Sequence, residues 1–233
     1  MAKSIRWLGH ATFAVNTAKD KVIYFDPFLT GNPLCPISLD KVDRADLVLV
    51  SHDHFDHVGA AADIVKKTGA TLVAQPETVG RLVSQLGVPP DRACNFGSGM
   101  NIGGSTVIDG ITITMTQAFH SSQTGSCAGF IVKLEDGFTL YHAGDTGIFA
   151  DMKTIGQLYP IDLALLPIGS IFTMDPYQAS KALGLLNPKR AIPMHYGTFP
   201  ILEQTADRFV ELAKKEAPKV RVSVLSIGRE YAL

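Results

Sequence analysis

Cysteine is scarce in this chain. Three residues in 233, Cys35, Cys94 and Cys127, are odd in number and far apart. No close pair marks a structural zinc site or a redox motif, so three free thiols in a reducing compartment are expected. An excess of one charge is also missing: Lys plus Arg is 21, Asp plus Glu is 22, and the net charge is -1. Local patches aside, nothing in that balance draws the chain onto nucleic acid. Charges interrupt every apolar stretch before it reaches membrane-spanning length. The first residues, Met1-Ala2-Lys3-Ser4-Ile5-Arg6-Trp7, lack the apolar core and cleavage site of a signal peptide and pass directly into a strand-like run. A soluble, cytoplasmic protein is the expectation, with no membrane partner. No Ser/Gly linker or charge block divides the chain, and residues 1–233 read as one domain. Hydrophobic residues make up 46%, and a chain of this size buries about 70–75% of its extended surface.

What is present is a polar cluster of unusual density. Ser51-His52-Asp53-His54-Phe55-Asp56-His57 follows the apolar run Leu47-Val48-Leu49-Val50. Such a run suits a buried strand, and ligands collect at strand C-termini in open α/β sheets. Imidazoles and carboxylates together make a mixed nitrogen–oxygen donor set for a metal. In a tight loop His52 and His54 converge, while Asp56 and His57 turn toward a second position. The competing reading is a solvated loop with its own hydrogen bonds. Desolvating so many polar groups without a compensating cation argues against it.

Strands are expected at Ser4 to Leu8, Phe13 to Thr17, Val22 to Phe25, Asp46 to Ser51 and Thr71 to Ala74, with helices over Ala60 to Thr68 and Pro76 to Leu86. A β-rich stretch follows: Arg92 to Phe96, then a hairpin of Ser105 to Ile108 and Ile111 to Gln117 around Asp109-Gly110. A second hairpin joins Cys127 to Leu134 with Phe138 to His142. The rest alternates: a helix over Phe149 to Leu158, a strand at Leu163 to Pro167, and a helix capped by Asp175. A strand at Arg190 to Met194, an amphipathic helix over Ile201 to Glu216, a run from Val220 to Leu225 and a final short run to Leu233 complete it. Two mixed sheets face to face with helices outside would bury every apolar face.

The remaining histidines also fall at strand ends. His120 lies past Gln117, His142 and Asp145 past the second hairpin, His195 after Met194, and His10 after the first strand. Each alone reads as readily as a structural residue. Asp26, ending the third strand, is either a turn residue or the partner that orients a metal-bound histidine. Cys127 has no paired base and reads as a buried structural thiol.

His52-x-His54-x-Asp56-His57, followed by His120, Asp145 and His195, resembles the metallo-β-lactamase superfamily in order and spacing. Trp7-Leu8-Gly9-His10-Ala11-Thr12 and Tyr141-His142-Ala143-Gly144-Asp145-Thr146 resemble its UPF0173-type metal-dependent hydrolase branch, related to L-ascorbate-6-phosphate lactonase. The resemblance spans essentially the whole chain. It implies a four-layer αββα sandwich and two divalent ions, zinc foremost, with manganese, nickel or iron as alternatives. His52, His54 and His120 would hold the first, Asp56, His57 and His195 the second, with Asp145 bridging.

A bridging water ionised by the two ions would then cleave a small ester or lactone, a phosphorylated sugar lactone among them, with Asp56 relaying its proton. His10 would point into the pocket and act on substrate or on a ligand. His142, Tyr196 and Ser121 are candidates for ligand support or substrate contact. Asp56-His57, in place of the additional glutamate of redox diiron relatives, favours hydrolysis. Two alternatives stay open: a phosphodiesterase or nuclease of the same fold, although the chain lacks a basic arm for nucleic acid, and a metal-stabilised sensing or scaffolding protein. Assemblies among lactonase-like relatives make a homo-oligomer one further expectation.

Overall fold

The run Leu47-Val48-Leu49-Val50 shows how the layers are stacked. Leu47 and Leu49 belong to one buried apolar cluster, Val48 and Val50 to another. Side chains alternate across a strand, so a strand that is apolar at every position must be covered on both faces. In the computed structural model, which describes residues 3–233, this strand lies inside a sheet with a second sheet on one face and helices on the other.

The first sheet is six-stranded. Its strands are β1 (Ser4–Trp7), β2 (Phe13–Asn16), β3 (Val22–Phe25), β4 (Leu47–Leu49), β5 (Thr71–Val73) and, from the C-terminus, β13 (Glu230–Ala232). They run in the order β13-β1-β2-β3-β4-β5, antiparallel as far as β3 and parallel from β3 to β5. The second sheet is seven-stranded: β6 (Ser105–Ile108), β7 (Ile111–Gln117), β8 (Ala128–Lys133), β9 (Thr139–His142), β10 (Leu163–Pro167), β11 (Arg190–Met194) and β12 (Arg221–Val222). These pair in sequence order, antiparallel up to β9 and parallel thereafter.

A one-turn helix α1 (Phe55–Val58) follows β4. Helices α2 (Ala61–Thr68) and α3 (Pro76–Leu86) cover the outer face of the first sheet through Ile64, Val65, Val79 and Leu82. Helices α4 (Met152–Leu158), α5 (Pro176–Leu186) and α6 (Asp207–Glu216) cover the second through Met152, Leu183 and Phe209. The arrangement is the expected αββα sandwich. Among the described residues no helix is long and apolar enough to cross a membrane.

Several elements differ from the expectation. Arg92 closes a short 3-10 helix and Cys94 to Phe96 is turn, with a single bridge from Ala93 to Leu72 between them. The helix expected from Phe149 begins at Met152, and Phe149 packs on Phe119 instead. The helix expected from Ile201 begins at Asp207. Its first residues form a loop because the Gln204 amide donates to the carbonyls of Phe199 and Leu202, and Gly197 N–H donates to Glu203 O. The strand expected from Val220 to Leu225 shortens to Arg221–Val222.

β1, β3, β4, β7, β9 and β11 end at the same edge of the sandwich, since each pair within a sheet is separated by two antiparallel steps or by parallel ones. Every strand-end histidine and aspartate singled out above ends or follows one of these six strands. The two sheets are stitched there by backbone bonds: Ala128 N–H donates to Ser51 O at 3.0 Å and His195 N–H donates to His10 O at 3.0 Å.

Candidate metal centre

Three chemically decisive residues at this edge adopt left-handed backbone: His10 (φ 56°), Asp26 (φ 40°) and His195 (φ 60°). That conformation costs a non-glycine residue about 1–3 kcal/mol and persists only where its surroundings enforce it. For His10 the enforcement is visible. Its carbonyl accepts from the indole N–H of Trp7 at 2.9 Å and from His195 N–H at 3.0 Å.

The side chains gather into three overlapping groups: His52, His54 and His120; His10, Asp56, His57 and His195; and His52, His57 and Asp145. Within each group the donor atoms all lie within 4.8 Å of one another. α1 presents Asp56 and His57 from successive positions. Asp145 sits between the groups, its Oδ2 lying 2.9 Å from His195 Nε2, 3.2 Å from His57 Nε2 and 3.7 Å from His120 Nε2.

Hydrogen bonds on the far side of each ring decide which nitrogen is bare. Asp26 accepts at Oδ2 from His57 Nδ1 (2.8 Å) and from the Ser51 hydroxyl (2.7 Å), and at Oδ1 from Ser51 N–H (2.7 Å). The Ser51 oxygen then accepts from His52 Nδ1 at 3.0 Å. His120 Nδ1 donates to the carbonyl of Phe172 at 3.0 Å. His52 Nε2, His57 Nε2 and His120 Nε2 are therefore left as lone pairs.

Two of these face His54 Nδ1, at 3.0 Å and 3.3 Å, and a single N–H there could satisfy only one of them. His195 Nδ1 and Asp145 Oδ1 are buried and make no hydrogen bond, and His57 Nε2 and His195 Nε2 lie close to Asp145 Oδ2 without the alignment of one. Orphaned buried groups of this kind call for an explanation. Divalent cations supply one: the converging atoms are neutral imidazoles and carboxylates, with outer hydrogen bonds that fix each ring.

The electrostatics agree. Burial pushes His52 well below its ordinary value, and His57 adds to the effect. Burial and then His195 bring His10 down to about 4 against its bond to Asp56. Burial opposes ionisation of Asp145, but His195 and His57 outweigh it and hold the carboxyl well below the usual range. His57 goes the other way. Burial would lower it, yet Asp145 and Asp26 on its two sides raise it well above the histidine range. Two buried carboxylates flanking one ring require a positive charge there, which a proton or a metal ion can provide.

Above the groups opens a cavity of about 570 Å³ whose wall includes His54, Asp56, His120, Ser121, Asp145 and His195. His10 does not reach it. The side chain is fully buried, donating from Nε2 to Asp56 Oδ2 at 3.1 Å and facing Thr198 Oγ1 through Nδ1 at 3.1 Å. Of the two expectations for His10, substrate contact or orientation of a ligand, the contacts made by both ring nitrogens fit the second.

Tyr196 is likewise absent from the wall, stacked on Trp7 with ring centroids 5.1 Å apart. His142 lies between the sheets, stacked on Phe25. It donates from Nε2 to Ala11 O and accepts from Gly144 N–H at Nδ1, bracing the turn that carries Asp145. Cys127 is buried, with its thiol donating to Asp145 O and pushed well above its ordinary value by burial.

Two contributors were not singled out from the sequence. Asp53, inside the histidine cluster, is fully buried; it accepts from Arg81 Nη1, the Ser122 and Thr124 hydroxyls and the N–H groups of Gln123 and Thr124. It ties the loop after His120 to the end of β4. Its position between His52 and His54 was the available signal, and it was masked by the metal-ligating chemistry of its neighbours.

The other is Gly169, after β10, where a Cβ would lie 2.3 Å from His195 O and 2.6 Å from His195 Nδ1. Gly169→Ala is expected to displace His195 and weaken metal binding by about 10–100-fold, the range for disturbed ligand support, in a competitive chelator titration. Unchanged affinity would show that His195 does not hold metal.

Comparison with known proteins agrees with this geometry. Residues 15–196 match the family described as the beta-lactamase superfamily domain. A UPF0173 metal-dependent hydrolase of Nitratidesulfovibrio vulgaris is 51% identical over 233 residues, covering 100% of this chain and 96% of the relative. Another, from Methanopyrus kandleri, is 46% identical over 97% of this chain and 98% of its own. Among solved structures, Igni18, a metallo hydrolase from the archaeon Ignicoccus hospitalis, superimposes with a TM-score of 0.89 at 36% identity, covering 100% of this chain and 99% of that one.

Proposed function

The chain belongs to the beta-lactamase superfamily, in its UPF0173 metal-dependent hydrolase branch, and from that membership we propose that its cavity hydrolyses a small ester or lactone at a pair of divalent ions. His52, His54 and His120 would hold one ion, Asp56, His57 and His195 the other, with Asp145 lying between the two groups. Zinc suits this nitrogen-rich set best, and manganese, nickel or iron could also fill it. The observation that carries the reading is the convergence of buried donor atoms on His57, His195 and Asp145, close together yet without aligned hydrogen bonds, beneath an open cavity.

Such ions supply Lewis acidity, lowering the pKa of water and polarising an acyl oxygen. The protein's own groups do the rest. Asp26 fixes the donor tautomer of His57 directly and of His52 through Ser51. His10 holds the Asp56 carboxylate at the cavity floor, and its hydrogen bond keeps that carboxyl ionised against the effect of burial. An ionised Asp56 orients water and accepts a proton only transiently. Ser121 and Gln123 offer the neutral polar contacts on the wall.

Metal stripping followed by reconstitution is the test. The stripped protein should lose at least about a hundredfold in turnover across a panel of esters, lactones, thioesters, phosphodiesters and β-lactams, and recover with added Zn²⁺ or Mn²⁺. A protein that binds neither ion and turns over none of the panel would refute the proposal.

A further inference from the structure

Apart from Ser121 and Gln123, the wall that is not metal centre is apolar. Phe55, Phe172, Phe199, Ile201 and Leu202 line it, and neither Lys nor Arg does. Three of these side chains are strongly exposed, Phe55 at 67%, Phe172 at 53% and Ile201 at 58%. Single exposed apolar residues need no explanation, but several converging on one concave site do.

They are also held in place. Phe55 packs edge-on against Phe28 at 5.8 Å, and Phe199 lies 6.4 Å from both. The loop carrying Ile201 and Leu202 is fixed by Gln204 and by the Gly197–Glu203 bond. Phe172 is anchored to the centre itself, because its carbonyl accepts from His120 Nδ1. The apolar wall is thus a built surface continuous with the donor atoms.

We infer that the substrate is an uncharged ester or lactone whose acyl portion is an apolar chain or ring, seated against Phe172, Phe199, Ile201 and Leu202. This rests on the hydrolase reading above and narrows it. The charged groups on the wall are carboxylates and histidines, which the two ions would engage. A spectator phosphate or carboxylate on the substrate would be desolvated with no guanidinium or ammonium to receive it, which is unfavourable. An apolar acyl group loses nothing polar and covers Phe172 and Ile201.

In the reaction the oxygen of water bonds to the acyl carbon and the acyl–oxygen bond breaks. One proton of that water ends on the departing alcohol oxygen and the other leaves the new carboxylic acid to solvent. In a lactone both products remain in one molecule.

The metal-loaded enzyme should be assayed on p-nitrophenyl acetate, butyrate and hexanoate, and on gluconolactone beside 6-phosphogluconolactone. Each fully buried methylene is worth up to about fourfold in kcat/KM, so the hexanoate should exceed the acetate by at least about tenfold. The phosphorylated lactone should be cleaved no faster than its neutral counterpart. Ile201→Lys, at an exposed position, should lower the hexanoate-to-acetate ratio by about tenfold, and Phe172→Ala should lower it as well.

A flat chain-length profile, an unchanged ratio in both variants, or a preference for the phosphorylated lactone would overturn the inference while leaving the hydrolase reading standing. Failure of the loaded enzyme on every substrate would overturn both.

Discussion

Asp145→Asn is expected to lower kcat/KM by about a thousandfold or more and to reduce bound metal by at least one equivalent per chain. The substitution keeps shape and removes charge. Asp145 Oδ2 lies within 3.2 Å of both His195 Nε2 and His57 Nε2, and the carboxylate is buried between the two donor groups. A neutral amide there withdraws the negative charge that both ions would share, and its NH2 would point a donor at the positions of the cations.

Circular dichroism should show the sandwich intact, because the sheets are held by apolar cores to which this side chain does not contribute. His54→Ala, which removes one nitrogen from the other group, should also abolish turnover with the fold retained. A variant at Asp145 that keeps two ions and stays within about tenfold of the parent's activity would show that the centre does not work through this carboxylate.

Asp53→Ala has the largest expected effect on stability. The buried carboxylate gathers Arg81, Ser122, Gln123 and Thr124, and its truncation leaves the Gln123 and Thr124 N–H groups without that acceptor and the Arg81 guanidinium with only the Asp53 carbonyl. Breaking a pair of this kind costs about 3–5 kcal/mol, which for a chain of this size lowers Tm by about 6–20 °C. The same change frees the loop after His120, so affinity at the His52–His54–His120 group should fall as well. Asp53→Asn retains part of the acceptor capacity and should lose less. Calorimetry with and without metal checks both effects. A Tm within about 2 °C of the parent would mean that the clamp contributes little.

The fold was legible because its periodicities are local. A strand apolar at successive positions, Leu47-Val48-Leu49-Val50, announces burial on both faces. Asp109-Gly110 announces a hairpin, and Asp175-Pro176 announces a helix start whose cap bond, Gln178 N–H to Asp175 Oδ1, is present at 2.7 Å. Errors arose where side chains override local pattern. Leu202, Ala206, Phe209 and Val210 have helical spacing, yet Gln204 ties its own loop to Phe199 and Leu202 and delays the helix to Asp207. The one-turn helix carrying Asp56 and His57 is too short to leave a periodic trace.

The sequence by itself determined the chemical inventory and the layer order: which residue types could bind metal, that each follows a strand, and that two sheets must lie face to face. Only the tertiary structure decided which of these residues meet, and how. That His10 meets Asp56, which nitrogen of each ring is bare, and that Asp53 clamps a loop almost seventy positions away follow from contacts between distant segments. So is the apolar wall, assembled from α1 and from the loops after β10 and β11. Backbone periodicity records the burial of each residue's own strand or helix. Ligand geometry depends on side-chain directions at the ends of six strands, brought to one edge by sheet pairing, and no local pattern encodes that.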